Sequence, residues 1–432
     1  MRIMSFMFKS LSKIASFFMI FIFLISLVNS SVKAEVFKLG VVTFLSGAAA
    51  GPFGVPAKNA ADLVVDAINK GKLPAPYNSK GFAGMKIIPV VIDEAGGTTK
   101  QVAEFKNLVL REKVDAVVGY ISSGDCLAIA PVADELGTIT VFFDCGTHRI
   151  FEENSYKYVF RTGTHSAIES IALARYLIKT DPNLKYVSAI NQNYSWGIDS
   201  WNEFSSALKT LKPDIEFKAV LFPKLFAGQY GAEISTLMSK PAQYIHSSFW
   251  GGDMEAFILQ ASARGLFKKQ TPILSCGETA MFRLKGQMPE GAILGAGRGR
   301  FGVYAPDNEL NRWFRKNFIK KYGIPPTYPA YKMAQAILGL KYAVDKAGVK
   351  DKEKIVKAFE YAEFEAPSGK VYMRLGKGHQ AVQEIPVGKF TKKDGKPSVK
   401  DVVIFSPECV SPPDGVKTLD WINQGFPGAK CN

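Results

Sequence analysis

The sequence predicts an α/β protein built from two doubly wound, Rossmann-like lobes. One unit recurs along the chain: a short strand rich in β-branched residues, a loop rich in glycine and serine, and an amphipathic helix. Continuous apolar strands that alternate with helices are typical of a parallel sheet covered on both faces. A chain of 432 residues is also too long for one compact core, so two lobes are expected.

The strand–helix units fall into two series. The first pairs strands at 36–42, 86–92 and 115–118 with helices at 57–69, 99–111 and 126–136. The second begins near Arg161 and continues to a strand at 272–274, after which come helices at 309–322, 331–346 and 352–360 and several β-rich segments. Because the second series interrupts the first, and the late helices are needed to cover the first sheet, we predict two discontinuous lobes. Lobe one takes residues 35–158 and 301–374, and lobe two takes residues 159–300 and 375–432.

Residues 1–34 are predicted to be a cleaved secretory signal peptide. Arg2, Lys9 and Lys13 give a basic start, and residues 14–28 form an uninterrupted apolar run. That run is shorter than the roughly 20 residues that span a bilayer, and small residues follow it at 32–34. No cysteine follows the run closely, so a lipid anchor is not expected. We expect the mature protein to begin near Glu35 and to work outside the cytoplasm.

Charge and cysteine content exclude several classes of function. The formal net charge is +15, of which the signal peptide carries four, leaving about +11 (15 minus 4). The lysines are scattered among acids without a basic helix or an aromatic RNA-binding signature, so no nucleic-acid partner is expected. The chain has no C-x-x-C pair, and none of its four histidines is paired at metal-ligand spacing, so no metal is expected.

The five cysteines suit an oxidising compartment. A bridge between Cys409 and Cys431 would tie down a tail rich in proline and glycine. Cys126 and Cys145 follow two successive strands and could also meet, which leaves Cys276 unpaired.

The loops after the strands are the candidate binding site. In doubly wound sheets, ligands bind outside the carboxyl ends of the strands, where loops meet helix N-termini. This rule selects loops from both series, so the site is expected between the lobes. The candidate loops are 45–54, 119–125, 144–148, 191–197, 247–253 and 276–279.

These loops carry hydroxyls, aromatics and acids. Ser122 and Ser123 precede a helix N-terminus, which favours an anion such as a carboxylate, although one serine could simply cap the helix. Thr147 has the same two interpretations. The aromatic residues of these loops could wall a cleft or pack in a core, and the acids could meet a cation or lie on a solvated surface. The aromatic residues are Phe53, Trp196 and Trp250, and the acids are Asp253 and Glu278.

No motif for catalysis or cofactor binding is present. The chain has no G-x-S-x-G elbow, no H-E-x-x-H and no Walker loop. The glycine-containing segments at 228–231 and 295–298 are too degenerate to indicate a nucleotide site. We therefore expect a protein that is not an enzyme and that carries no cofactor.

The order of several segments resembles the leucine/isoleucine/valine-type periplasmic binding proteins of ABC importers. These are residues 36–47 with Phe53-Gly54, residues 115–124, 158–162 and 194–197, and Tyr331 at the start of a helix. The resemblance spans essentially the whole mature chain. It implies the type I periplasmic binding protein fold, in which two α/β lobes joined by three hinge crossovers close on a ligand in the cleft between them.

The resemblance also implies roles for single residues. The aromatic residue of the first loop falls on Phe53, and the hydroxyl that takes the ligand carboxylate falls on Ser123. The backbone-plus-threonine loop falls on Cys145 and Thr147. The aromatic residue of the second lobe falls on Trp196, and the acid that faces the ligand α-ammonium falls on Glu278.

Three departures from the family leave the class of ligand open. Phe53 and Trp196 stand where tyrosine is frequent, which removes two hydroxyls and makes the pocket smaller. Asp125 and Asp144 lie beside the expected carboxylate pocket, where a negative charge repels a carboxylate unless it points away or meets a cation.

The resemblance implies a monomeric periplasmic protein that captures a small polar solute by lobe closure and delivers it to an importer permease. An amino acid of the branched-chain type is the leading expectation. An aromatic carboxylate, an amide, a polyamine-like solute or a ligand-sensing module is the alternative.

Overall fold

The protein is built on two mixed β-sheets, each flanked by helices. The computed structural model describes residues 35–431, so the predicted signal peptide lies outside the described residues. The strands are β1 Val36–Thr43, β2 Lys86–Asp93, β3 Ala116–Gly119, β4 Ile139–Phe142, β5 Val159–Arg161, β6 Tyr186–Ile190, β7 Glu216–Leu221, β8 Tyr244–Ser247, β9 Thr271–Leu274, β10 Ile293–Gly295, β11 Glu363–Ala366, β12 Gly369–Leu375, β13 Gln380–Val382, β14 Ile385–Lys393 and β15 Lys396–Phe405.

Fourteen α-helices connect these strands within the described residues. They are α1 Val55–Lys70, α2 Thr98–Leu110, α3 Ser123–Glu135, α4 Arg149–Glu152, α5 Ser166–Thr180, α6 Ser195–Leu211, α7 Gly231–Ser239, α8 Gly252–Ala263, α9 Glu278–Met281, α10 Glu309–Tyr322, α11 Tyr328–Ala347, α12 Lys352–Phe359, α13 Pro407–Val410 and α14 Thr418–Asn423. A π-helical turn, Ala50–Gly54, leads directly into α1. None of the described helices is both long enough and apolar enough to cross a membrane.

The topology of both sheets confirms the predicted doubly wound fold. The first sheet has the order β11-β12-β13-β5-β4-β3-β1-β2, and the second has the order β15-β14-β10-β9-β8-β6-β7. The central strands pair in parallel, β1 with β3, β3 with β4 and β4 with β5 in the first sheet, and β6 with β8, β8 with β9 and β9 with β10 in the second. Parallel neighbours place their carboxyl ends at the same edge of a sheet, so the candidate loops gather there.

The chain passes between the two sheets three times: after β5, after β10 and after β13. These crossings agree with the expected three hinges. β5 and β13 pair within the first sheet, a few residues beyond the positions at which we placed the first and last crossings. The division of the remaining chain into two lobes stays a prediction.

Helix α11 lies deepest in the fold. Sixteen of its residues are buried, including Lys332, Gln335 and Lys341, and it packs along α1. A helix that is buried on nearly every side normally carries apolar residues all round, so the buried amines need partners. Lys341 has one within its own helix, because its Nζ lies 2.7 Å from the Asp345 carboxylate. Lys332 finds its partner in the loop after β4, as described below.

Both of the disulfides considered from the sequence are present. Cys126 of α3 is bonded to Cys145 in the loop after β4, and Cys409 of α13 is bonded to Cys431 in the C-terminal tail. Cys276 is a buried free thiol. The first bridge attaches a candidate site loop to the helix beside it.

Candidate functional site

A small cavity lies between the loops that follow the strands of the two sheets. Its volume is about 10 Å³, which is room for about one water molecule. The loops after strands β1, β3 and β4 contribute lining residues from one sheet and those after β6, β8, β9 and β10 from the other, so the cavity lies between the strand ends of the two sheets. The lining residues are Phe53, Ile121, Ser123, Asp144 and Gly146 on the first side, Tyr194, Trp196, Trp250, Cys276 and Arg298 on the second, and Tyr328 from the start of α11.

The turn between β3 and α3 is held by a buried carboxylate. Glu94 accepts hydrogen bonds from the backbone N–H of Ile121, at 2.8 and 3.0 Å to its two oxygens, and from that of Ser122, at 2.8 Å. The residue before them, Tyr120, adopts a left-handed conformation with φ +73°. Tying down these amides fixes the direction in which the chain enters α3, and this places Ser123 at the cavity.

Ser123 joins two of the candidate loops. Its Oγ accepts hydrogen bonds from the backbone N–H of Gly146 and of Thr147, both at 3.2 Å. These two bonds occupy the acceptor sites of the oxygen, so the hydroxyl hydrogen remains available. Toward the cavity, Ser123 therefore acts as a hydrogen-bond donor.

The indole ring of Trp196 lies directly on Gly146. A Cβ atom at Gly146 would lie 2.1 Å from Cζ3 of Trp196, a distance at which neither group fits. The Trp196 Nε1 donates to the Ser248 carbonyl at 2.7 Å, so the ring cannot easily move aside. Glycine is thus required where the loop after β4 approaches the loop after β6.

Aromatic rings form most of the remaining wall. The Phe53 ring makes edge contacts with Trp250, at 5.3 Å between centroids, and with Tyr328, at 5.4 Å. Trp250 is buried, and its Nε1 makes no hydrogen bond of good geometry, although Tyr194 is close enough to interact with it. The wall therefore offers flat apolar surfaces together with an indole donor.

Three buried charges meet at one edge of the cavity. Oδ1 of Asp144 pairs with Nη2 of Arg298 and, at 2.7 Å, with Nζ of Lys332. Arg298 also donates to the Asp144 carbonyl, and its guanidinium lies 4.7 Å from the centroid of Trp196. The cluster joins the loop after β4, the loop after β10 and helix α11. A second buried carboxylate, Glu169 of α5, accepts from the backbone N–H of Arg298 at 3.1 Å and interacts electrostatically with both cations.

This cluster leaves two polar atoms without hydrogen-bond partners. They are Oδ2 of Asp144 and Nε of Arg298, both buried. Burial lowers the pKa of Lys332, and the neighbouring Arg298 charge lowers it further, whereas Asp144 opposes both effects. Unpaired buried polar groups are costly, and such atoms beside a cavity are the contacts that a ligand can complete.

The cavity brings together four of the eight ligand-binding residues predicted from the sequence: Phe53, Ser123, Trp196 and Trp250. Ser122, Cys145, Thr147 and Glu278 are not among its lining residues. Ser122 precedes α3, and the Cys145 sulfur is bonded to Cys126. The role of all eight in ligand binding stays a prediction.

Two of the residues outside the lining have other partners. The Thr147 hydroxyl donates to Oδ2 of Asp199 in α6 at 2.7 Å, so it links the loop after β4 to the second side of the cleft. The Glu278 carboxylate accepts from the backbone N–H of Tyr328 at 2.9 Å. Its side chain packs so closely on Gly302 that a Cβ there would lie 1.8 Å from Oε1 of Glu278.

The two acids that left the ligand class open behave differently. Asp125 accepts a hydrogen bond from the Thr98 hydroxyl at 2.7 Å and is not among the lining residues. Asp144 lines the cavity, and its charge meets Arg298 and Lys332. The Asp125 carboxylate thus points away from the cavity, and the Asp144 carboxylate is paired with cations. In both cases, the repulsion expected between the acid and a ligand carboxylate is reduced.

Sequence reasoning missed Arg298 and Tyr328. Arg298 follows β10, a strand of only three residues, and its own φ is +71°. The rule that ligands bind at the loops after strands also selects the loop that contains Arg298. A strand of three residues is too short to be recognised in the sequence, so the rule was not applied there. Tyr328 opens α11 with a proline at the next position, a frequent start of a helix.

Within residues 35–431, no group of three or more histidine, cysteine, aspartate and glutamate side chains is placed to hold a metal ion. The buried donors and acceptors of the cavity suit an organic solute better.

Comparison with known proteins gives a consistent result. The family model described as "Periplasmic binding protein" matches residues 36–396. A leucine-, isoleucine-, valine-, threonine- and alanine-binding protein of Pseudomonas aeruginosa is 22% identical over 344 residues, covering 78% of this chain and 86% of the relative. A Leu/Ile/Val-binding protein homologue of Brucella abortus is 23% identical over 364 residues, covering 80% and 85%.

Solved structures show the same fold. A solute-binding protein of an ABC transporter from R. palustris, in complex with benzoate, has a TM-score of 0.76 at 22% identity, covering 89% of this chain and all of that one (100%). A leucine-binding protein of Thermotoga maritima has a TM-score of 0.71 at 20% identity, covering 85% and 99%. The matched proteins are binding proteins. This confirms the prediction that the chain is not an enzyme.

The close approach at Gly146 generates a testable expectation. We expect Gly146→Ala to lower the free energy of unfolding by about 1–3 kcal/mol, because the added methyl group displaces the Trp196 ring or the loop. Gly124→Ala is the matched control, since a Cβ there meets nothing closer than 3.8 Å. Urea unfolding of both variants measures the difference. Equal stabilities would mean that the two loops do not meet in solution.

The buried carboxyl of Glu278 predicts a pH dependence of stability. Burial raises its pKa from 4.5 to about 7, so the folded protein binds more protons than the unfolded chain between these values. The contribution of Glu278 to wild-type stability should therefore fall as the pH rises through this range, by about 3 kcal/mol in total. Glu278→Gln keeps an acceptor for Tyr328 and removes the ionisation.

We expect the stability of Glu278→Gln, relative to the wild type, to increase from about pH 4.5 to about pH 8. Thermal unfolding across this range measures it. Glu135→Gln, at an exposed position of α3, is the control. Parallel curves for Glu278→Gln and the wild type would show that Glu278 ionises as freely as a solvated acid.

Proposed function

This chain belongs to the periplasmic binding protein family, and we propose that its solute is a small aromatic carboxylate. The protein would capture this solute in the periplasm between its two lobes and deliver it to the permease of an ABC importer. One observation carries the choice of solute: the cavity offers several hydrogen-bond donors within aromatic walls, while its one acid is already shared by two cations.

The donors suit a carboxylate. Ser123 retains its hydroxyl hydrogen, and Nε of Arg298 and Nε1 of Trp250 lack hydrogen-bond partners. Donors on a positively charged group bind a carboxylate more strongly than neutral ones do.

An ammonium group is served less well by this cavity. The acid predicted to face it, Glu278, is outside the lining and bonds to the backbone N–H of Tyr328. The lining acid, Asp144, already accepts hydrogen bonds from Arg298 and Lys332. A third cation at the same carboxylate would add repulsion from the other two.

Flat walls support a flat solute. Phe53, Trp196, Trp250 and Tyr328 line the cavity, and aromatic rings pack well on one another edge-to-face or offset. The space between them is about 10 Å³, so the walls must move apart to admit such a solute. The related R. palustris protein has a benzoate complex, which shows that a binding protein with this fold can hold an aromatic acid.

A branched-chain amino acid is the second candidate, and one observation favours it. Oδ2 of Asp144 is buried without a partner, so it retains the capacity to accept a hydrogen bond from an ammonium group. Several relatives are named as binding proteins for leucine, isoleucine and valine. A phenolic hydroxyl on an aromatic acid would satisfy the same oxygen.

Capture by closure of the lobes is part of the proposal. Three contacts join loops from opposite sides of the cleft: Asp144 with Arg298, Thr147 with Asp199, and Gly146 with Trp196. A solute that contacts both sides favours the closed arrangement over the open one, because only the closed arrangement provides all of its contacts.

Matched solutes test the proposal. Phenylalanine and hydrocinnamate differ by one ammonium group, as do leucine and isocaproate, and benzoate with its hydroxylated derivatives extends the set. We expect the carboxylates without ammonium to bind at least tenfold more tightly than the matched amino acids, and the aromatic acids most tightly. Calorimetric titration measures this. Tighter binding of leucine than of isocaproate would favour the second candidate and overturn the first.

One variant tests the indole donor. Trp250→Phe keeps a ring in the wall and removes Nε1, so we expect the affinity for the aromatic carboxylate to fall by about tenfold or more, as for a lost hydrogen bond to a charged group. Trp313→Phe is the control, because Trp313 lies in α10 outside the lining. An unchanged affinity in Trp250→Phe would show that the indole packs on the solute without donating to it.

A further inference from the structure

A second, larger cavity lies beside two of the chain crossings. Its volume is about 240 Å³, and none of its lining residues is shared with the cavity between the strand ends. Its walls come from α4, from the residues that follow β5, from the turn between β12 and β13, and from the segment 412–417. It therefore lies where the chain passes from the first sheet to the second.

The most deeply buried cation of this cavity is incompletely paired. Arg161 exposes 1% of its surface, yet it lines the cavity. Its Nε donates to Gln380 at 2.5 Å, and its Nη1 donates to the carbonyls of Cys145 and Thr147 at 2.9 and 2.6 Å. Nη2 has no hydrogen-bond partner. A buried guanidinium nitrogen without an acceptor is costly, and an anion would supply that acceptor.

A second polar group of the cavity is also unsatisfied. His165 exposes 2% of its surface, and its Nδ1 has no partner. Burial, together with the Arg161 charge, keeps its pKa well below the usual value, so the ring is neutral. A neutral imidazole can donate one hydrogen bond, which an anion bound at Arg161 could accept.

The acids of this cavity already have donors. Glu152 accepts from the backbone N–H of Thr418 at 2.9 Å and from its hydroxyl, and Asp414 accepts from the backbone N–H of Lys377 at 3.3 Å. The side chains of Lys377 and Lys417 are exposed at the rim. His148 forms an ion pair with Glu203 at 2.5 Å. Glu152 and Glu203 also interact with the charges of Arg161 and His148, so what Arg161 lacks is a hydrogen-bond acceptor at Nη2.

The other walls are apolar. Phe151, Leu375, Pro412 and Val416 line the cavity, and the Arg161 guanidinium lies 5.7 Å from the Phe151 ring. An inorganic anion would leave these surfaces uncovered, whereas an organic anion would cover them.

We propose that this cavity is a second binding site for a small organic carboxylate. Its carboxylate accepts hydrogen bonds from Nη2 of Arg161 and from His165, and its apolar body packs against Phe151 and Pro412. The same guanidinium holds the two carbonyls that flank Gly146. A ligand bound here therefore contacts the guanidinium that holds the Gly146 loop, which lines the first cavity.

The probe for this site is para-trifluoromethylbenzoate, observed by fluorine NMR with the full mature chain. Because an aromatic carboxylate is also the solute proposed for the first cavity, the affinity compared is that of the bound resonance that Trp250→Phe leaves unchanged. The absence of such a resonance would overturn the proposal. Ser155 is exposed and lines the cavity, so Ser155→Trp fills the space without altering the buried polar groups. Asn154→Trp places the same ring one residue away, at an exposed position outside the lining. We expect Ser155→Trp to weaken probe binding at least tenfold and Asn154→Trp to change it less than twofold.

Arg161→Lys keeps the charge and removes the planar fork, so it should also weaken binding by tenfold or more. Because Arg161 supports a loop, this variant is compared with the wild type by circular dichroism; if it does not fold, the two tryptophan variants decide. Probe affinity that is the same in Ser155→Trp as in the wild type would overturn the proposal. Equal losses in the two tryptophan variants would overturn it as well. Neither outcome bears on the first cavity, which Trp250→Phe tests separately.

Discussion

The buried cluster of Asp144, Arg298 and Lys332 is the interaction on which the site depends. It connects a loop of the first sheet, a loop of the second sheet and helix α11, which lies deepest in the fold. Burying charge is costly unless each group is paired, and removing one partner of a buried pair typically costs about 3–5 kcal/mol. The cluster therefore favours the closed arrangement of the three elements, and opening of the cleft has to separate Asp144 from Arg298. The other contacts of the cavity, including the indole of Trp196 on Gly146, rely on that arrangement.

The same cluster explains why the solute cannot be inferred from the family alone. A carboxylate shared by two cations is a weak partner for a third. Under the function proposed above, the selectivity between an anion and a zwitterion depends on how completely Arg298 and Lys332 satisfy Asp144.

Much of the architecture could be predicted because it follows from periodicity. Apolar strands alternating with amphipathic helices indicated both sheets, and the strand-end rule placed Phe53, Ser123, Trp196 and Trp250 at one cavity. The direction of single side chains could not be predicted in the same way. Glu278 and Thr147 lie in the selected loops, but neither lines the cavity. The Glu278 carboxylate accepts from the backbone N–H of Tyr328, and the Thr147 hydroxyl donates to Asp199.

Two residues of the buried cluster could not be predicted from the sequence. Arg298 follows a three-residue strand that is too short to show a periodic pattern, and Lys332 belongs to a helix whose apolar residues hide the buried amine among them. Both depend on contacts between segments far apart in the chain. Arg298 and Lys332 lie 154 and 188 positions from Asp144 in the sequence. Local pattern carries no information about such contacts.

The bridge between Cys126 and Cys145 has a practical consequence for work with this protein. It fastens the loop that carries Asp144, Gly146 and Thr147 to helix α3, so the geometry of the cavity assumes an oxidised chain. Material produced in a reducing cytosol would keep the fold of both sheets but would have this loop attached only by weaker bonds. A weak or missing response to a solute in such a preparation would describe the reduced protein. Export, or oxidation during purification, is therefore a condition for any screen that aims to identify what the protein carries.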